Sequence, residues 1–185
     1  MAAKSSDDSG LTLMELVVVI AILAITAAVG VPKLKDQLSQ QRLKSTARDI
    51  YAAYQLAKLD AVKDNENVVV LFSPAAYLPE GNNGVYQLFA DNGAGGGTAG
   101  NMVQDGSEPT LMSVTMSNGV SLISAAFTDG VATTDKVGFD GQGLPAGSFS
   151  GVVVVRTADR WYRVNLSVAG NVNMQISDDG VNWSL

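Results

Sequence analysis

The chain has 185 residues, a formal net charge of −6, and neither cysteine nor histidine. That length holds one helix and one modest domain rather than two full cores. The missing residue types remove disulfides, thiolate nucleophiles and the commonest zinc and acid–base groups, so no enzymatic activity, cofactor or metal is expected. The charge is uneven, because Lys33 to Glu66 carries seven bases and five acids while Asn67 to Leu185 carries four bases and ten acids. An acidic distal half argues against a surface built for phosphate.

Residues 1–10, MAAKSSDDSG, are small and polar without periodicity and read as a leader. From Leu11 to Val31 the chain is apolar apart from Thr12, Thr26, small residues and Glu15. As a helix this run is about 30 Å long, the thickness of a bilayer's hydrocarbon layer, so it reads as a single membrane span. Glu15 is then costly, by about 2.5 to 3.5 kcal/mol even on lenient insertion scales. Two plain alternatives are that Glu15 reaches water at the headgroups, and that the stretch is an ordinary signal peptide cut after Ala27 and Ala28. A third accounts for the acid directly. Cutting after Gly10 would create an α-amine on Leu11, four residues from Glu15, able to neutralise the carboxylate of a neighbouring copy.

Gly10, Leu11, Thr12, Leu13, Glu15 and the unbroken run to Pro32 resemble the class III signal of type IV pilins and pseudopilins. The resemblance implies a prepilin peptidase that cuts after Gly10 and methylates Leu11, with Glu15 aligning each subunit against the one before it in a helical filament. Two departures stand out: Leu11 replaces the usual Phe, and the leader carries Asp7 and Asp8 where such leaders are commonly basic. Many type IV pilins also carry a disulfide near the C-terminus, which a chain without cysteine cannot make.

Beyond Pro32, Leu34, Leu38, Leu43, Ala47, Ile50, Tyr54, Ala57 and Ala61 recur every three or four residues, which predicts an amphipathic helix over 33–66. Gly30 and Pro32 predict a kink or unwound turn between the two halves. Asn65 to Asn67 ends the helix, and the period changes to that of strands: Asn67–Phe72, Val85–Ala90, Val120–Ile123, Val137–Asp140, Gly151–Arg156, Arg160–Leu166 and Val172–Ile176. Asn83-Gly84, Asn118-Gly119, Asp129-Gly130, Asp140-Gly141 and Asp179-Gly180 supply turns. The stretch Asp91 to Pro109 is too rich in glycine to pack and reads as a mobile surface loop. The expected class is α+β, a long N-terminal helix packed through its amphipathic half on an antiparallel β-sheet domain over 67–185.

AKLDAVKDNENVVVLF, Ala57 to Phe72, is similar to the segment that closes the long helix and starts the first strand in H-type pseudopilins and FimT-type minor pilins. Lys58 and Asp60 stand where that family has Arg and Glu. VGFDGQGLPAGSFSGVVVV and RWYRVNLSVAGNVNMQI resemble its distal strands and last hairpin. This resemblance implies a minor pseudopilin of a type II secretion system, in the bacterial inner membrane with its C-terminal domain in the periplasm. Its partners would be the peptidase and other pseudopilins. The alternative is a type IV pilus minor pilin that primes assembly or takes up DNA. Arg156, Arg160 and Arg163, with Trp161 and Tyr162, are the residues a DNA role would use, against the expectation that Tyr162, Val164 and Leu166 point inward from an ordinary solvated face. Calcium would have oxygen ligands in Asp91, Asn92 and Asp105, or in Asp178 and Asp179, but no run has the spacing of a known calcium loop.

Overall fold

Residues 12–79 and 83–185 are described by the structure, a computed structural model. The leader, Gly10 and Leu11 lie outside the described residues. One helix, α1, spans Leu13–Asp64, and the chain divides into two compact units, the first ending at Leu38 and the second being Ser39–Leu185.

A kink or an unwound turn is expected at Gly30 and Pro32; in the first unit α1 keeps helical backbone through both, so the chain is not unwound there. Proline removes one amide donor and costs about 3 kcal/mol inside a helix. The helix continues for several turns on both sides of the ring, so the loss is carried by the rest of its hydrogen-bonded length. Every residue from Leu13 to Gln37 is exposed within the chain.

The second unit begins with the remainder of α1. Its buried residues, Leu43, Thr46, Ala47, Ile50, Ala53, Tyr54, Ala57 and Ala61, form the stripe that the spacing predicted from Leu43 onward. Leu34 and Leu38, placed on the same stripe, are exposed instead. Four of the buried residues are alanines, which let the helix axis approach the strands closely. α1 stops in a Schellman motif: Asn65 takes a left-handed φ of 51°, and the Glu66 amide donates to the Ala61 carbonyl at 3.2 Å.

Among the described residues nine strands follow: β1 Asn67–Ser73, β2 Val85–Asp91, β3 Thr110–Thr115, β4 Ser121–Thr128, β5 Thr133–Thr134, β6 Lys136–Phe139, β7 Ser150–Arg156, β8 Trp161–Leu166 and β9 Val172–Ser177. They make two antiparallel sheets, one in the order β3-β2-β1-β6 and the other β5-β4-β7-β8-β9. All seven expected strands are present. β3 and β5 were not foreseen, and β4 runs well past Ile123, through a bulge between Leu122 and Ser124 that shifts its register against β7.

Aromatic rings join the three layers. Phe72 on β1 packs edge-on to Tyr54 of α1 at 6.0 Å and stacks with Phe127 of β4 at 5.7 Å, while Tyr54 also meets Phe139 of β6 at 6.1 Å. Each ring is fully buried. The Tyr54 hydroxyl has no hydrogen-bond partner, and burial pushes its pKa well up.

The glycine-rich stretch does pack, contrary to the expectation of a mobile loop. Three carboxylates pin its backbone. Buried Asp91 accepts the amides of Gly100 and Met102 at 2.8 and 2.7 Å, and buried Glu108 accepts those of Gly93 and Asp105 at 2.8 and 3.1 Å. Asp105 in turn accepts the Thr98 amide at 3.0 Å and the Asn101 side-chain amide at 3.0 Å. Glycine is what permits this closeness: at Gly106, with φ +59°, a Cβ would collide with the Ala94 carbonyl oxygen. Lys136 Nζ adds a hydrogen bond to the Met102 carbonyl at 2.5 Å.

Two outcomes follow from this packing. Tyr54→Phe removes an unpaired buried hydroxyl and should keep or raise the free energy of urea unfolding, by up to about 1 kcal/mol, whereas Phe72→Ala should lower it by about 3 to 5 kcal/mol. Asp91→Ala removes the buried charged acceptor of the Gly100 and Met102 amides; a loss of about 1.5 to 3 kcal/mol is expected, with faster amide exchange at Gly100 and Met102 while that at Val70 is preserved.

Candidate functional site

The residues singled out from the sequence fall into two groups, one at the start of α1 and one at the end of the second sheet. Thr12 immediately precedes the helix, its Oγ1 accepting the Glu15 amide at 3.2 Å and its carbonyl accepting the Leu16 amide at 3.1 Å. Thr12 is therefore the N-cap, and Glu15 stands at the third helical position, where a carboxylate also meets the positive end of the helix dipole. The Thr-x-x-Glu spacing was readable as a capping box, and the sequence reading did not use it. Glu15 is exposed, and among the described residues no cation pairs with it. Pro32 lies inside the helix. Gly10 and Leu11 lie outside the described residues, so the cut and the modified terminus have no geometry here.

Leu13 through Val31 expose their large apolar side chains, from Val18 at 45 % to Leu13 at 81 %. Among the described residues one helix is long and apolar enough to cross a membrane, and this is its apolar part. Such a surface is unstable in water and demands lipid or neighbouring helices.

Arg156, Arg160 and Arg163, in the second unit, are each engaged by their own chain. The Arg156 guanidinium sits 4.2 Å from the Tyr77 ring centroid and 4.4 Å from that of Trp161, while donating to the Thr157 and Ala158 carbonyls at 3.0 and 3.1 Å. Arg160 pairs with Asp178 at 2.9 Å and donates to Gln40 Oε1 at 3.2 Å. Arg163 lies 4.5 Å from the Trp183 ring and donates to Gln175 Oε1 at 2.6 Å. Three rings, Tyr77, Trp161 and Trp183, thus carry the chain's own cations, Trp161 being one of the two considered for stacking a base; Val164 and Leu166 are buried and Tyr162 is half-buried against the core, as the ordinary reading of this strand required.

The carboxylates weighed as calcium ligands also have internal partners. Asp91 and Asp105 hold backbone amides as described, Asp178 holds Arg160, and Asp179 organises the turn after β9. Among the described residues no cluster of three or more acids could hold a metal ion. Asp179 accepts the amides of Val181 and Asn182, both at 2.8 Å, together with the Asn182 side chain at 2.6 Å and the Ser177 hydroxyl at 2.8 Å. The backbone bonds to Asn182 and Val181 hold its carboxyl well below the usual carboxylate range.

A long apolar N-terminal helix whose soluble continuation is covered by antiparallel sheets is the architecture of pilin-like proteins. The prokaryotic N-terminal methylation motif matches residues 5–31, and the family described as type II transport protein GspH matches residues 46–170. The chain belongs to the GspH family. The methylation motif implies processing by a prepilin peptidase and other pilins or pseudopilins as partners. Among solved structures, the minor pseudopilin EpsH from the type II secretion system of Vibrio cholerae is similar over 72 % of this chain and 95 % of that one, with 12 % identity and a TM-score of 0.48. The type IV minor pilin FimU of Pseudomonas aeruginosa is similar over 73 % and 89 %, with 14 % identity and a TM-score of 0.47. No curated protein sequence matches the chain.

The Asp179 turn yields a prediction about acid. A carboxyl with a depressed folded pKa contributes stability that is present above the ordinary aspartate value, about 3.9, and is lost as pH falls through the lower folded value. The Val181 and Asn182 amides should therefore stay protected at pH 4 and loosen only at more acid pH, as followed by NMR. In Asp179→Asn that acid transition should be absent.

Proposed function

We propose that the chain works as a minor pseudopilin of a type II secretion machine, with a mechanical role. The precursor is cut after Gly10, the new N-terminus on Leu11 is methylated, and the apolar part of α1 holds the protein in the bacterial inner membrane with Ser39–Leu185 in the periplasm. The observation that carries this reading is the presence in one chain of a methylation motif over 5–31 and a GspH domain over 46–170.

Glu15 is the residue with a role in assembly. Its amide is already used by the Thr12 cap, but its carboxylate has no cationic partner among the described residues. The amine freed on Leu11 of a neighbouring subunit supplies the missing charge, and the pairing is strongest when both groups leave water together. Subunits then add with their apolar helices side by side, and the acid fixes their relative height.

The mass of the N-terminus in cells tests the reading. With a prepilin peptidase present, the mature protein should lack ten residues and carry one added methyl group, and replacing Gly10 by a bulky residue should leave the precursor uncut. Glu15→Ala should mature normally yet fail to enter filaments and lower secretion at least tenfold. Persistence of the intact precursor as the working form would overturn the proposal.

A further inference from the structure

Within the second unit, the part of α1 from Ser39 onward presents two flanks beside its buried stripe. On one, Asp49, Ala52, Ala53 and Leu56 recur at helical spacing and face Tyr86 of β2 and Met112 and Val114 of β3 across an open groove of about 440 Å³. β3 is an edge strand of its sheet, so among the described residues no further strand closes that side. The groove is mostly apolar, with one acid at its rim. Asp49 is exposed, and among the described residues its carboxylate accepts no hydrogen bond and makes no ion pair. It lies near enough to Tyr86 that its charge, second to burial, helps push the phenol up to about 12.

The opposite flank has the complementary chemistry. Lys44, Arg48, Tyr51 and Gln55 are spaced by four, three and four residues and so share one side of the helix. All four are exposed, and neither Lys44 nor Arg48 has an ion-pair partner among the described residues. At 3.6 residues per turn the two flanks point about a third of a turn apart, so one molecule cannot bring its own ridge to its own groove. The same helix therefore carries a basic, aromatic ridge and an acid-rimmed apolar groove facing different ways.

We propose that the groove between α1 and β3 receives the Lys44–Arg48–Tyr51 ridge of a second copy of this chain. Tyr51 supplies the aromatic group for the apolar floor, and Arg48 or Lys44 meets Asp49 at the rim, where opposite charge selects register and orientation. Because donor and acceptor surfaces differ, the contact is heterologous and leaves a free ridge on one copy and a free groove on the other. It lies wholly within Ser39–Leu185 and does not depend on cleavage at Gly10.

The absence of cysteine makes the test direct. Two differently tagged full-length copies in detergent are mixed, one carrying Gln55→Cys on the ridge and the other Met112→Cys in the groove wall, and mild oxidation is followed by gel. Disulfide formation between unlike copies should exceed that in either like pair at least tenfold. Leu56→Cys, a more exposed groove position, should give the same preference if Met112→Cys perturbs folding. Asp49→Lys in the groove copy should suppress the cross-link at least fivefold, as should Lys44→Glu with Arg48→Glu in the ridge copy, and combining the reversals should restore it. Equal or greater linking of like pairs, linking indifferent to charge reversal, or no linking between copies would each overturn the proposal. Since the precursor and the mature protein should behave alike here, failure of this contact leaves the maturation reading standing.

Discussion

Phe72 is where the globular unit is tied together. Its ring touches the helix through Tyr54, its own sheet through Tyr86 at 6.0 Å, and the second sheet through Phe127. Without cysteine there is no disulfide to help, and a unit of this size relies on such contacts to overcome the entropy of ordering its chain. The alanines of α1 matter for the same reason: any larger side chain at Ala57 or Ala61, both fully buried, would lift the helix off the strands. The unpaired Tyr54 hydroxyl shows that ring packing outweighs the cost of one buried polar atom at this position.

The long-period signals in the sequence were legible because one physical cause dominates each. The apolar run to Val31 has no competing pattern, and the stripe from Leu43 to Ala61 is set by burial alone. The helix stop at Asn65 was readable because asparagine tolerates the left-handed conformation that the Schellman motif requires. Asp129 and Asp179 each sit before a glycine of positive φ and accept amides two and three residues on, which is what Asp-Gly turns are expected to do.

What escaped depends on partners distant in sequence. Thr110–Thr115 is half polar and becomes a strand only because β2 offers it an unpaired edge. The glycine-rich stretch lacks the side chains that signal packing, and the order it has comes from backbone contacts that glycine permits; the decisive acids, Asp91 and Glu108, lie at its two ends. The arginines near the C-terminal end lie on or beside β7 and β8, but composition could not show that Tyr77, from another part of the chain, would cover Arg156. At the start of α1, attention to the charge of Glu15 obscured the simpler capping geometry with Thr12.

The residues after β9 fold back on it. The Ser184 amide and carbonyl exchange hydrogen bonds with Ile176 at 2.9 and 2.8 Å, and Trp183 lies under Arg163. This short return occupies part of the outermost strand's free hydrogen-bonding row, much as a hem keeps woven cloth from fraying. Shortening the chain ahead of Trp183 would leave that row bare and give a foreign strand a place to zip on, so the last few residues protect against aggregation out of proportion to their number.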